Sequence, residues 1–155
     1  MERKTKVDAE DARQELLITR DFELPVELLF KAYTEPEIVE QWMSTTVLQL
    51  ENKKHGAWHF QKSNDAGQVV FDASGVYHEF LPEKKITRTF QMTNAPFDAQ
   101  IEYLEFEALS EEKSRLTMHI VYRSVKDRDQ MLKMGMGAGM SMAHDRLQNV
   151  VQQLR

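Results

Sequence analysis

From Leu16 the chain alternates, with Ile18, Phe22 and Leu24 on one side and Thr19, Asp21 and Glu23 on the other. This two-residue period is that of a half-buried strand. Pro25 ends it, and Val26, Leu29, Phe30 and Tyr33 follow at helical spacing, which predicts a short helix over about 25–33. Thr34 with Glu37 fits a capping box, and a second short helix is expected to run from there to near Trp42.

Beyond the helices five or six strands are expected, separated by turn-forming stretches at 52–56, 64–67, 81–85, 94–98 and 110–113. The spacing implies an antiparallel meander. Trp58 and Phe60 share a face, as do Ile86 and Phe90, and as do Leu116, Met118, Ile120 and Tyr122. One sheet face is thus apolar and needs a cover. The cover is at the C-terminus, where Leu132, Met136, Gly139, Met140, Ala143, Leu147, Val150, Val151 and Leu154 fall within about 120° of one helical face. A strand, two short helices, a run of antiparallel strands and one long amphipathic helix make an α+β fold. In this helix-grip arrangement the long helix lies across a curved sheet.

Within that helix the run KMGMGAGMSMAHD, residues 133–145, is rich in glycine and methionine. Helical spacing disperses the thioethers instead of converging them on a soft metal ion. Methionines often fill irregular gaps in a core, and that reading stays open here. Gly135, Gly137 and Gly139 each cost a helix roughly 0.5 to 1 kcal/mol relative to alanine, so a kink or a space beside the helix is expected. Gly139 is the glycine of the three placed on the apolar stripe, and flexible methionines beside a space there would wall a pocket.

Composition narrows the function classes. A net charge of −5 gives no basic surface for nucleic acid. The absence of cysteine removes disulfides, thiolate metal sites and cysteine nucleophiles. No apolar run is long enough to span a membrane, and a cytoplasmic location is expected. Residues 1–14 are charged and are expected to be a mobile tail ahead of a single domain over 15–155.

Arg20 and Arg88 both stand on apolar strand faces, where each must snorkel outward or meet a carboxylate; Glu79 and Glu105 are possible partners. The five histidines show no HxxH or HExxH spacing, and neither a metal nor a cofactor is expected. His59, His78 and His119 lie on strands, where two of them could form an acid–base pair or simply be surface or core residues. A GxSxG elbow and a phosphate-binding glycine loop are both missing.

The stretches FELPVELLFKAYTEPEIVEQWM and YRSVKDRDQMLKMGMGAGMSMAHDRLQNVV resemble domains similar to the activator of the ninety-kilodalton heat-shock protein ATPase. These belong to the START-like, birch-pollen-allergen-like superfamily of helix-grip folds. The resemblance rests on Pro25, Phe30, Ala32, Thr34, Pro36 and Trp42 early, Gly75 and Glu79 in the middle, and Arg128, Asp129, Gly135, Met136, Gly139, Asp145 and Leu147 late. The chain departs from the family pattern at Met43–Ser44 and at His55–Gly56. The resemblance implies a cavity between helix and sheet for an apolar or amphipathic small molecule. The expected lining is Trp42, Trp58, Phe60, Arg88, Phe90, Met118 and Tyr122 from the second short helix and the sheet, with Met136, Gly139, Met140 and Ala143 from the long helix. Two other readings stand beside it: an enzyme of the same fold acting on an aromatic or polyketide-like substrate, and an interaction module working as a co-chaperone or homodimer. Chaperone activation by this domain alone is not expected, since the co-chaperone carries a second, larger domain.

Overall fold

The computed structural model describes residues 4–154. The chain runs β1 (Lys6–Asp8), β2 (Glu15–Phe22), α1 (Val26–Thr34), α2 (Pro36–Met43), β3 (Thr46–Leu50), β4 (Ala57–Ser63), β5 (Val69–Leu81), β6 (Lys85–Met92), β7 (Gln100–Ala108), β8 (Ser114–Val121), α3 (Val125–Lys133) and α4 (Met136–Gln153). The eight strands form one curved antiparallel sheet in the order β1-β2-β8-β7-β6-β5-β4-β3. Strands β3 to β8 make the expected meander, and β2 joins it beside β8, so α1 and α2 carry the chain from one end of the sheet to the other.

Alternation sets the inner face. In β8, Leu116, Met118 and Ile120 are buried, and in β2 Leu16 and Ile18 meet Ile120 and Met118 across the register, with Phe22 buried further along the same face. Helix α1 lays Phe30 on Phe80 and Phe106, and Tyr33 on Trp42 and Phe106, in edge or tilted contacts at 5.0–5.5 Å. Trp42 Nε1 donates to the Ala32 carbonyl at 2.6 Å, pinning α2 to α1. The C-terminal half of α4 closes the core with Leu147 and Val151, while α4 as a whole packs on α2 and α1.

Gly75 is a close-approach glycine. A methyl group there would collide with the Thr89 carbonyl and the Trp58 indole nitrogen. With no side chain at Gly75, Trp58 Nε1 reaches across to donate to Thr89 O at 3.2 Å, while the Val76 N–H turns to Thr89 Oγ1 at 3.0 Å. A bulge at His78 then puts Tyr77 and Phe80 on the same face although they are three residues apart.

Four expectations need correction. Within the presumed tail, Lys6–Asp8 pairs with Thr19, Ile18 and Leu17 of β2, and Thr5 is buried. The capping box does not form: Pro36 opens α2 at its first turn, Glu35 is the cap without a side-chain bond, and Thr34 Oγ1 instead donates to Phe30 O. The long C-terminal helix is present as α4 but starts only at Met136: the stripe's first member, Leu132, belongs to α3, because Gly135 takes φ 85°, a left-handed conformation that interrupts the helical phase. Leu154, assigned to the buried stripe, is 55% exposed. Both departures from the family pattern contain a left-handed residue, Ser44 at φ 54° and His55 at φ 67°.

Candidate functional site

A cavity of about 380 Å³ lies between the N-terminal half of α4 and the inner sheet face. Nine of the eleven expected residues line it: Trp42, Arg88, Phe90, Met118, Tyr122, Met136, Gly139, Met140 and Ala143. Trp58 and Phe60 do not. They are fully buried one layer behind, where the Trp58 ring packs on Phe60 at 4.9 Å and on Phe90 at 5.5 Å. Gly139 lines the cavity from an exposed position, with open space where a Cβ would stand. Lys62, also exposed, is among the lining residues.

At the inner end of the lining sits an ion pair. Arg88 and Glu102 are cross-strand partners in β6 and β7, Arg88 Nε donates to Glu102 Oε1 at 2.9 Å, and their side chains are 7% and 5% exposed. Gln100 Nε2 donates to the other carboxylate oxygen at 2.9 Å. The guanidinium also lies 5.0 Å over the Trp58 ring. Burial alone would lower the Arg88 pKa, but the charge and hydrogen bond of the Glu102 carboxylate hold it above its ordinary value. Burial pushes Tyr33 and Tyr122 well above the normal phenol range, so both line the cavity as neutral hydroxyls. Tyr77 Oη, beside Arg88, has no hydrogen bond of good geometry.

Sequence reasoning missed Gln100 and Glu102, and looked to Glu79 and Glu105 for a partner of Arg88. Glu79 instead bonds Thr87 and Lys85, and Glu105 lines a groove on the outer face. Alternation ties Gln100 and Glu102 to the face of Leu104 and Phe106, but Ile101 and Tyr103 make the opposite face of β7 apolar as well, so the pattern by itself does not say which set points inward. Met131, not a member of the apolar stripe read from the sequence, is buried and lines the cavity, because the break at Gly135 gives α3 a phase of its own.

The second inward arginine makes a separate cluster. Arg20, 2% exposed, donates to Asp145 Oδ1 at 2.8 Å and to Thr5 Oγ1 at 3.3 Å. Thr5 Oγ1 lies 2.9 Å from His144 Nδ1. Burial, with Arg20 nearby, lowers the His144 pKa to about 4, so its ring is neutral. Arg128 ties α3 to the N-terminal segment through Glu10 O at 2.6 Å and pairs with Asp129.

None of the five histidines lines the cavity. His55 and His78 are exposed, His59 bonds Asp72 and His119 bonds Glu15 on the outer sheet face, and His144 is buried with Thr5. The outer groove, with a volume of about 680 Å³, is larger than the inner cavity. Its walls are mostly charged side chains such as Asp8, Glu10, Arg13 and Lys85, whereas the inner cavity combines apolar walls with a shielded polar end. Among the described residues, no three histidine or carboxylate side chains converge as metal ligands would, and no helix is long and apolar enough to cross a membrane.

Solved structures share this architecture. A protein from Rhodobacter sphaeroides superposes with a TM-score of 0.85 at 17% identity, covering 96% of this chain and 99% of that one. One from Arthrobacter aurescens gives 0.84 at 18% identity, covering 96% and 91%. CalU16 from Micromonospora echinospora gives 0.69 at 19% identity, covering 97% and 85%. At such identities the likeness establishes the helix-grip fold. No curated protein matches the sequence. Residues 23–152 match the family model described as Activator of Hsp90 ATPase homolog 1-like protein, and the chain belongs to that family.

Proposed function

We propose that the protein binds a small apolar or amphipathic molecule between α4 and the sheet. The observation that carries this reading is the cavity itself: apolar walls from Phe90, Met118, Ile120, Met136 and Met140, with Arg88, Glu102 and Gln100 at one end. Its volume falls in the range of small-molecule sites, and a few fixed polar groups in an apolar wall are how such sites orient a ligand. Methionines from α3 and α4 let the wall repack around guests of different shape. A charged pair bordering a space also has a use that one sealed in a packed core lacks, since well-packed apolar residues could replace the latter without loss of stability.

A thermal-shift panel of fatty acids, fatty alcohols, polyketides and flavonoids tests this. A ligand at a hundred times its dissociation constant stabilises the fold by about 2.7 kcal/mol, which is readily seen. Binding confined to the cavity disappears in Gly139→Leu. If no compound shifts the transition of the unaltered protein, or if the shifts persist in that variant, the reading fails.

A further inference from the structure

The charge state of the cavity's polar end carries a more specific conclusion, which rests on the ligand-binding reading. We propose that the Arg88–Glu102 pair makes the cavity select neutral hydrogen-bonding head groups over both carboxylates and ammonium ions, with Glu102 as the specificity-determining residue against anions.

An inward-facing arginine in an apolar cavity would by itself be a receptor for a carboxylate. Here its charge is already answered. Glu102 is the cross-strand neighbour of Arg88 on the same face, bonded to its Nε at 2.9 Å, and Gln100 fixes the second carboxylate oxygen from the adjacent inward position of β7. The acid is therefore positioned by two donors and cannot swing away without leaving both unpaired. Both partners are almost fully shielded, so a ligand anion near Arg88 also feels Glu102 through a medium that screens it weakly. Attraction and repulsion largely cancel, while the cost of stripping water from the ligand's charge remains. The same holds in mirror image for a ligand cation approaching Glu102.

A neutral hydroxyl, carbonyl or ester avoids that cost and still finds partners. Glu102 is the one carboxylate paired with Arg88 among the described residues, and it engages Nε, which leaves the terminal guanidinium nitrogens free of any carboxylate. These nitrogens can donate to a ligand oxygen with the strength of a charge-assisted bond. The spare lone pairs of Glu102 can accept from a ligand hydroxyl. Tyr33 and Tyr122 add neutral hydroxyls to the same lining.

The test is a matched series with one ten-carbon chain: 1-decanol, methyl decanoate, decanoate and decylammonium, measured by calorimetric titration at pH 7.5. For the unaltered protein, decanol and methyl decanoate are expected to bind at least about tenfold more tightly than either ion. Glu102→Gln keeps the shape and a hydrogen-bond acceptor for Arg88, and is expected to tighten decanoate by about tenfold while changing decanol by less than about threefold. Arg88→Gln is expected to raise affinity for decylammonium instead. Equal or tighter binding of decanoate than of methyl decanoate by the unaltered protein overturns the selectivity while leaving ligand binding intact. An unchanged decanoate-to-decanol ratio in a folded Glu102→Gln protein overturns the role of Glu102. If no member of the series binds, this inference falls, and the ligand-binding reading falls with it only if the wider thermal-shift panel is silent too. Should either variant not fold, the four affinities of the unaltered protein decide the selectivity.

Discussion

His144 shows how far burial moves a single titration. Its ring is fully enclosed, edge-on to Phe22, with one nitrogen bonded to Thr5 and the other without a partner, and Arg20 close by opposes a second positive charge. The folded-state pKa of about 4 lies below the ordinary histidine value, so the unfolded chain takes up the proton first as the pH falls. The neutral ring's contribution is therefore intact above about pH 6.5 and is lost as the pH falls toward 4, at up to about 1.4 kcal/mol per pH unit. Chemical denaturation between pH 7.5 and 4.5 is expected to show this slope and His144→Phe to flatten it; an equal slope in the variant would contradict the assignment. Asp21, held below its usual value by the hydrogen bond from Arg115, adds its own loss only at lower pH.

Among the elements, the C-terminal helices show how one backbone angle redistributes function. Treated as one helix, residues 132–154 place Gly139 in the middle of a buried stripe. In the structure, Gly135 breaks the run, α4 starts at Met136, and its first two turns line the cavity while Ser141, His144, Leu147 and Val151 face the core. A side chain at Gly139 meets open space, so Gly139→Leu is expected to leave the fold intact and to raise stability by up to about 1 kcal/mol through helix propensity. The same substitution is expected to block the cavity. A denaturation midpoint lower than that of the unaltered protein, as overpacking would produce, would show the space to be filled.

Across the whole molecule, the N-terminal segment is part of the structure and not an appendage. Strand β1 extends the sheet beside β2, Thr5 joins Arg20 to His144, and Glu10 accepts from Arg128. Deleting residues 1–9 leaves the buried Arg20 and His144 short of a partner and is expected to destabilise by roughly 1 to 3 kcal/mol. Urea titration of the truncated and full chains measures this, and coincident curves would mean that the segment contributes no stability.

Local periodicity determined much of this architecture. Strand alternation, the breaks at Pro25 and the turns, and the apolar inner set of β8 are properties of neighbouring residues, and they sufficed for the α+β order and the meander; the expectation of a cavity between helix and sheet came from the family resemblance. Three things needed the tertiary structure. Both faces of β7 carry apolar residues, Ile101 and Tyr103 outward, Leu104 and Phe106 inward, so alternation alone does not choose the face of Glu102. Its pairing with β6 and β8 does. The polar N-terminal segment looked unable to pack because its value lies in hydrogen bonds to buried groups over a hundred residues away. Finally, the sequence marked glycine-135 to glycine-139 as a place where a helix would bend or leave space. Which glycine bends and which leaves space was settled by how α3 and α4 dock onto their neighbours, a balance of backbone strain against side-chain burial.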